Sequence, residues 1–344
     1  MVDSQRANAG IKGQPQERAR LQDVAALAGV SIKTTSRILN GEKASAGATS
    51  KVLDAAKLLR YRPNGIAREL RSGAISNGVG MIVSDLSNPF YSKMAYAAEE
   101  ILAKEGFDLF IASTDEDPQR EEGLVKRMLE RRTRALLLVP SSPDHSYLKF
   151  EMALGSNIIF LDRPPVNLLA DSFVSNDRQA AREIVAELKK SHRRVAVIGD
   201  EQIAWTAKER LAGAVEELGA DSPLIQIGAH RPEKAEEIAI ELLGRAEPPT
   251  ALLGLNNLIT LGILQALKKC GRSCSVVGFD DSDVLQMFEV TALNVDPERI
   301  GELAAQRALK RISNPDLAPI NQLLEMRKIH RTPLDRPIIF PERK

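Results

Sequence analysis

Residues 21–40 read LQDVAALAGVSIKTTSRILN, and the spacing within them decides what kind of head this chain carries. Leu21, Val24, Ala25 and Ala28 recur at i, i+3, i+4 and i+7, one apolar stripe along a short helix. Gly29 supplies the backbone freedom of a tight turn, and Val30 is placed to drop into the core beneath it. Ser31 has the short oxygen side chain that caps a new helix by accepting from its free N–H groups. Beyond it Thr35, Ile38 and Leu39 are predicted to face inward, leaving Ile32, Lys33 and Arg37 outward. Two short helices joined by a glycine-containing turn form a helix-turn-helix, the module whose second helix enters the DNA major groove. The stretch predicts a DNA-reading head. An ordinary helical hairpin shares the spacing, so the rest of the chain must decide between them.

The net charge of +1 hides an asymmetry that favours the head. Residues 1–77 hold 13 Lys/Arg against 6 Asp/Glu, and the remainder holds 34 against 40. A basic head on an acidic body is expected when one domain meets phosphate and another does not. The 344 residues allow two or three domains, with 43% hydrophobic and 27% charged residues, an ordinary globular composition. Cys270 and Cys274 are too few for a disulfide scaffold, and the four histidines are scattered. Reduced thiols, no metal, no cofactor and a cytoplasmic location are therefore expected. No run approaches ~18 apolar residues and the N-terminus lacks an apolar signal core, so neither export nor membrane insertion is predicted.

Residues 1–18 are polar and aperiodic, which predicts a disordered tail. After the second helix Asn40-Gly41 breaks the chain; Val52, Ala55, Ala56 and Leu59 then predict a third helix, stopped at Tyr61-Arg62-Pro63-Asn64. The head is assigned to residues 19–64. A hinge over 65–77 contains GIARELRSG, helix-compatible but too short to be stable alone in water. It is expected to order against a partner, with Arg68 and Arg71 on phosphates and Leu70 wedged into a minor groove. A plain linker is the alternative.

From residue 79 the texture changes. VGMIV (79–83), FDLFIA (107–112), ALLLV (135–139), NIIFLD (157–162), VAVIG (195–199), LIQIG (224–228), ALLGLN (251–256) and SVVGFD (275–280) are short apolar runs separated by amphipathic helical segments. Such alternation reads as parallel sheets covered on both faces. Two sets of about four units predict an α/β core, residues 78–344, of two doubly wound lobes. Ligands of such folds lie beyond the carboxyl ends of the strands. Those ends are polar here: Ser84-Asp85-Leu86-Ser87-Asn88-Pro89-Phe90-Tyr91, Thr114-Asp115-Glu116-Asp117, Asp162-Arg163, Asn256-Asn257 and Asp280-Asp281. Carboxylates accept from hydroxyls, arginine donates in a fixed fork, amides do both, and aromatic faces cover a flat ring. The set suits a polyhydroxylated ligand such as a sugar. No phosphate-binding glycine loop, nucleophile elbow or zinc helix occurs, and no nucleophile has an evident base, so no catalytic residue is assigned.

At this point the chain resembles the bacterial lactose/galactose repressor family, from about Arg20 to residue 330. DVAALAGVSIKTTSRILNG resembles the family's head and YRPNGIARELRSG its hinge. NPFY, DEDPQRE, FLDRP, ERLAG, the strand ending in Asn256 and SVVGFDD resemble its effector-binding core, which is similar to periplasmic sugar-binding proteins. The resemblance implies a homodimer whose heads bind a pseudo-palindromic operator. It places Ile32, Lys33 and Arg37 at base-reading positions, Ser31, Thr34, Ser36 and Asn40 at or beside phosphates, and Leu70 at the central base step. Asp162, Arg210, Asn256 and Asp280 match effector contacts; Asn88, Phe90, Tyr91 and Arg163 match further pocket positions. The chain departs from the pattern at Arg20, Thr35, Ser50 and Glu69 in the head and hinge. It also departs at Asn257, where an Asp is usual, and at Val295, where a pocket Gln is common. No leucine heptad follows the core, so a dimer is expected rather than a tetramer. The implied function is a repressor of a carbohydrate-use operon answering to a small sugar, a pentose such as ribose first. A nucleoside- or purine-responsive regulator and a solute-binding protein without regulatory role are the alternatives.

Overall fold

The computed structural model describes residues 19–61 and 77–340. They fall into two compact units, one within residues 1–75 and one within 76–344, and each is taken by itself. The expected tail and most of the hinge, including Arg68, Leu70 and Arg71, lie outside the described residues.

Among its described residues the head has three helices: α1 (Leu21–Ala28), α2 (Ile32–Leu39) and α3 (Ala46–Leu58). Val24, Ala28, Ile38, Val52 and Ala55 form its core, with Val30, Leu39 and Leu59 packed around it. Gly29 takes the left-handed conformation (φ 65°) that the turn requires. Ser31 Oγ accepts from the Thr34 N–H at 3.1 Å. Two family departures find local compensation. Thr35 is fully buried, yet its hydroxyl donates to the Ser31 carbonyl at 3.1 Å, so no polar atom is stranded. Asp23 Oδ2 accepts from the Arg20 backbone N–H at 2.7 Å, supplying a bond at the helix start. One expectation is corrected: α3 is not stopped by Pro63. It ends at Leu58, Arg60 turns left-handed (φ 47°) and the Tyr61 N–H returns to the Ala56 carbonyl at 2.8 Å. A backbone turn closes this helix before the proline is reached.

The core contains two parallel-stranded sheets. In the first lobe, β1 (Gly78–Val83), β2 (Asp108–Ser113), β3 (Ala135–Leu138), β4 (Ile158–Asp162), β5 (Asp171–Ser175) and β11 (Asn321–Leu324) lie in the order β11-β5-β4-β3-β1-β2. In the second, β6 (Val195–Ile198), β7 (Ile225–Gln226), β8 (Ala251–Gly254), β9 (Ser275–Phe279), β10 (Thr291–Asn294) and β12 (Arg327–Ile329) lie in the order β12-β10-β9-β8-β6-β7. Among the described strands only β12 runs antiparallel to its neighbour. The expectation of about four strands per lobe is therefore corrected to six. The extra strands sit where the chain changes lobe, after Ser175, after Asn294 and between β11 and β12. β2 also departs from the expected burial on both faces: it is an edge strand with partly exposed residues throughout.

Helices cover both sheets. Those that contribute to the cleft are α4 (Pro89–Lys104), α8 (Trp205–Leu218) and α10 (Asn257–Cys270); α5 (Pro118–Glu130), α6 (Lys149–Ala153), α7 (Asp177–Ser191) and α9 (Pro232–Leu243) lie between them in sequence. After α11 (Asp283–Met287), α12 (Pro297–Ser313) returns to the first lobe, where Ile300, Ala304 and Ala308 join the core of Val79, Met81, Met94 and Phe173. Val295 is buried in that same core rather than facing the cleft.

Candidate DNA-reading face and ligand cleft

On and beside α2, Ile32 is 53% exposed, and Ser31, Lys33, Arg37 and Asn40 are exposed too, while Thr34 and Ser36 are half-buried. The inward set holds Thr35 and Ile38, so the helix shows solvent the face that the spacing assigned outward. Arg37 Nε donates to Glu42 Oε2 at 2.9 Å and its Nη2 to the Lys43 carbonyl at 3.3 Å. Both Arg37 and Glu42 remain about half exposed, a weakly held pair.

Between the core's lobes lies a cleft of about 800 Å³ counting its open mouth. All eight core residues singled out from sequence line it: Asn88, Phe90, Tyr91, Asp162, Arg163, Arg210, Asn256 and Asp280. Strand ends and helix starts place them. Asn88 caps α4, accepting from the Phe90 N–H at 3.0 Å, which puts Phe90 and Tyr91 on the helix's first turn. Asn256 caps α10 by accepting from the Ile259 N–H at 2.7 Å. Asp162 ends β4 and Asp280 follows β9, the fourth strand of each lobe in chain order. Both are left-handed, with φ of 66° and 59°. Non-glycine residues held there by their surroundings cluster at binding sites.

Each lobe contributes a buried guanidinium. Arg210 donates through Nε to Asp177 at 2.5 Å, through Nη1 to the Leu255 carbonyl at 2.8 Å, and through Nη1 and Nη2 to both oxygens of Asp280 at 2.7 and 2.9 Å. It also lies 4.7 Å from the Phe279 ring centre. In the first lobe Arg163 grips both oxygens of Glu116 at 2.6 and 2.5 Å and the Pro140 carbonyl at 3.0 Å. Tyr91 donates its hydroxyl to Asp162 at 3.1 Å. Burial pushes the Asp162 carboxyl up to about 6, against the pull of Arg163, with Asp177 and Asp280 adding to the rise. Burial also raises Asp177 despite Arg210. Burial acts upward on Glu116 as well, but the charge and hydrogen bonds of Arg163 outweigh it and hold this carboxyl below its ordinary range.

Sequence reasoning did not single out Asp177, Asp200 or His230, and it quoted Glu116 without giving it a role. Asp200 and His230 line the cleft as a pair, with His230 Nδ1 3.3 Å from Asp200 Oδ1. The strand-end rule itself points to both, since Asp200 closely follows β6 and His230 lies four residues beyond β7. Asn257 does not line the cleft; its amide donates to Asn88 Oδ1 at 2.8 Å, joining the two lobes. A carboxylate at 257 has no proton to donate there. Lys93 and Asp283 add a second interlobe contact at 3.4 Å.

Among the described residues no group of three or more His, Cys, Asp or Glu side chains is placed to hold a metal ion. No described helix is long and apolar enough to cross a membrane. Residues 20–64 match the bacterial regulatory proteins of the lacI family, and residues 76–312 match the periplasmic binding proteins and sugar binding domain of the LacI family. The HTH-type transcriptional repressor PurR of Mannheimia succiniciproducens is 28% identical over 315 residues, 87% of this chain and 93% of that protein. A LacI-family transcriptional regulator from Silicibacter pomeroyi superposes with a TM-score of 0.80 at 25% identity, covering 92% of this chain and all of that one. A proposed ribose operon repressor from Burkholderia thailandensis superposes with a TM-score of 0.63 at 27% identity, covering 74% of this chain and all of that one.

Proposed function

The chain belongs to the lacI family of bacterial regulatory proteins, and on that premise we propose that it is a cytoplasmic, homodimeric repressor of a carbohydrate-use operon, released or recruited by a small sugar. In this reading residues 19–64 are the operator-binding head, 65–77 the hinge and 78–344 the effector-binding and dimerisation core. Ile32, Lys33 and Arg37 read bases; Ser31, Thr34, Ser36, Asn40, Arg68 and Arg71 hold phosphates; Leu70 enters the minor groove. The observation that carries the effector half is the convergence of Asn88, Phe90, Tyr91, Asp162 and Arg163 from one lobe on Arg210, Asn256 and Asp280 from the other. A ligand touching both sets favours one lobe arrangement. That arrangement sets the separation of the two hinges across the dimer and so the fit of both heads to adjacent half-sites.

A pentose such as ribose is the first candidate, because carboxylates and amides are the commonest polar groups in the cleft and its two benzene rings, Phe90 and Tyr91, come from one lobe. A purine or nucleoside is the second, favoured by the likeness to proteins named PurR over most of the chain. A thermal-shift panel of sugars, nucleosides and purines separates them, since a ligand that prefers the folded state raises its melting point. Stabilisation by a pentose supports the first reading, and stabilisation by purines alone replaces it with the second. For the DNA half, genomic fragments retained by the immobilised protein should share a two-fold related pair of half-sites. No enrichment over random fragments removes the repressor reading.

A further inference from the structure

We infer that Glu116 sets the charge class of the effector: by tying up Arg163 it leaves the cleft to an uncharged, hydroxyl-rich ligand and closes it to phosphate esters. The inference rests on the ligand-binding reading of the cleft and narrows it.

A guanidinium owns five N–H groups, and an arriving phosphate needs two of them side by side. On Arg163, Nη1 donates to Glu116 Oε2 at 2.6 Å and to the Pro140 carbonyl at 3.0 Å. Its Nη2 donates to Glu116 Oε1 at 2.5 Å and faces the Tyr91 hydroxyl at 3.4 Å. The remaining Nε is buried 3.5 Å from Asp162. No fork is left for a ligand. Arg210 is in the same position through Asp177, Leu255 and Asp280, with one N–H over. The third cleft arginine, Arg231, is exposed at the rim, where water screens it.

Acceptors, by contrast, are in excess. Six carboxylates line the cleft against three guanidiniums and one imidazole. A phosphate seated on Arg163 has to displace the Glu116 carboxylate, 19% exposed, and leave it without its guanidinium beside the charge of Asp200. A sugar hydroxyl needs no such exchange, because the carboxylates of Asp162, Asp200 and Asp280 can accept hydrogen bonds from it directly. Asp280 shares the buried Arg210 with Asp177, but Glu116 belongs to a loop (Asp115 and Glu116 both left-handed, φ 56° and 59°) and acts on Arg163 alone among the cleft's cations within bonding distance.

The test uses the full-length protein and inorganic phosphate as probe, followed by thermal shift at constant ionic strength. The wild-type protein should show no saturable stabilisation by phosphate, and Glu116→Gln should acquire it, with at least a tenfold rise in affinity. Asp115→Asn removes the same charge from the cleft without freeing a guanidinium, and should acquire none. Phosphate binding to the wild-type protein, no gain in Glu116→Gln, or an equal gain in Asp115→Asn each overturns the inference. Matched pairs on the wild-type protein give a second readout that does not depend on a variant folding. Ribose, nucleosides and hexoses should each bind at least tenfold more tightly than their phosphate esters. An ester that binds as tightly as its parent overturns the inference while leaving the ligand reading standing. If no member of any pair binds, the sugar reading itself fails, and the phosphate arm still decides the role of Glu116.

Discussion

Asp280→Asn is the sharpest perturbation of the cleft, because it removes a charge and little else. Asparagine tolerates the left-handed backbone that residue 280 adopts at φ 59°, so the change adds little strain. Arg210, 4% exposed, loses one of its two charged partners and keeps Asp177 and the Leu255 carbonyl. Breaking a buried ion pair outright costs about 3–5 kcal/mol. With Asp177 still neutralising the guanidinium, the loss should be nearer that of one charge-assisted hydrogen bond, about 1.5–3 kcal/mol. For a unit of this size each kcal/mol lowers the melting temperature by about 2–4 °C. A fall on the order of 5 °C is therefore expected by calorimetry. Asp280→Ala should fall further, by about 1 kcal/mol more, because alanine pays for the left-handed backbone. Sugar affinity by titration calorimetry should drop about tenfold or more in both variants, since 1.4 kcal/mol is a factor of ten. Operator affinity without sugar should stay close to wild type. Unchanged melting and unchanged sugar affinity in Asp280→Asn would refute the reasoning that this carboxylate both neutralises Arg210 and receives ligand.

Lys33→Ala and Arg37→Ala should each lose about 1–3 kcal/mol of discrimination between operator and random duplex in fluorescence anisotropy; equal losses on both duplexes assign them to phosphates instead. Gly301→Ala brings a Cβ to 2.1 Å from the Met94 carbonyl, where α12 crosses α4, so the first lobe should lose about 1–3 kcal/mol in denaturant unfolding. Asp162 is raised to about 6 from 3.8, so between those values the folded protein holds a proton that the unfolded chain has released. Its contribution to stability therefore falls as pH rises from 3.8 to about 6 and is level above that. The difference in stability between wild type and Asp162→Asn should change across that window and nowhere above it; a difference that is flat with pH contradicts the assignment.

The head was legible because its determinants are local. The i, i+3, i+4, i+7 stripe, Gly29 and Ser31 each act within one turn, and even the odd residue Thr35 is satisfied by a carbonyl four positions away. The cleft was legible by rule: parallel strands point their carboxyl ends at ligand, and Asp162, Asn256 and Asp280 stand at those ends. What escaped was held by distant backbone. Strand β11, Asn-Gln-Leu-Leu, is mostly exposed, and exists through its pairing with β5, Asn321 against Ser172, about 150 positions away in the chain. Two leucines in so short a run set up no hydropathy pattern that marks an edge strand. The part played by Glu116 depends on Arg163, 47 positions on, and Asn257 joins Asn88 from 169 positions away. Neither partnership has a spacing that the chain could reveal.

The central claim is that one chain couples a duplex to a cleft ligand, and a single titration tests it. Labelled duplex from upstream of the protein's own gene is titrated with protein at several salt concentrations, with and without a saturating sugar identified by thermal shift. The account predicts an affinity that falls steeply with salt, as released counterions require, and that changes by about 5–150-fold when the cleft is filled. Salt-insensitive or absent binding, or one affinity with the cleft empty and full, would contradict it.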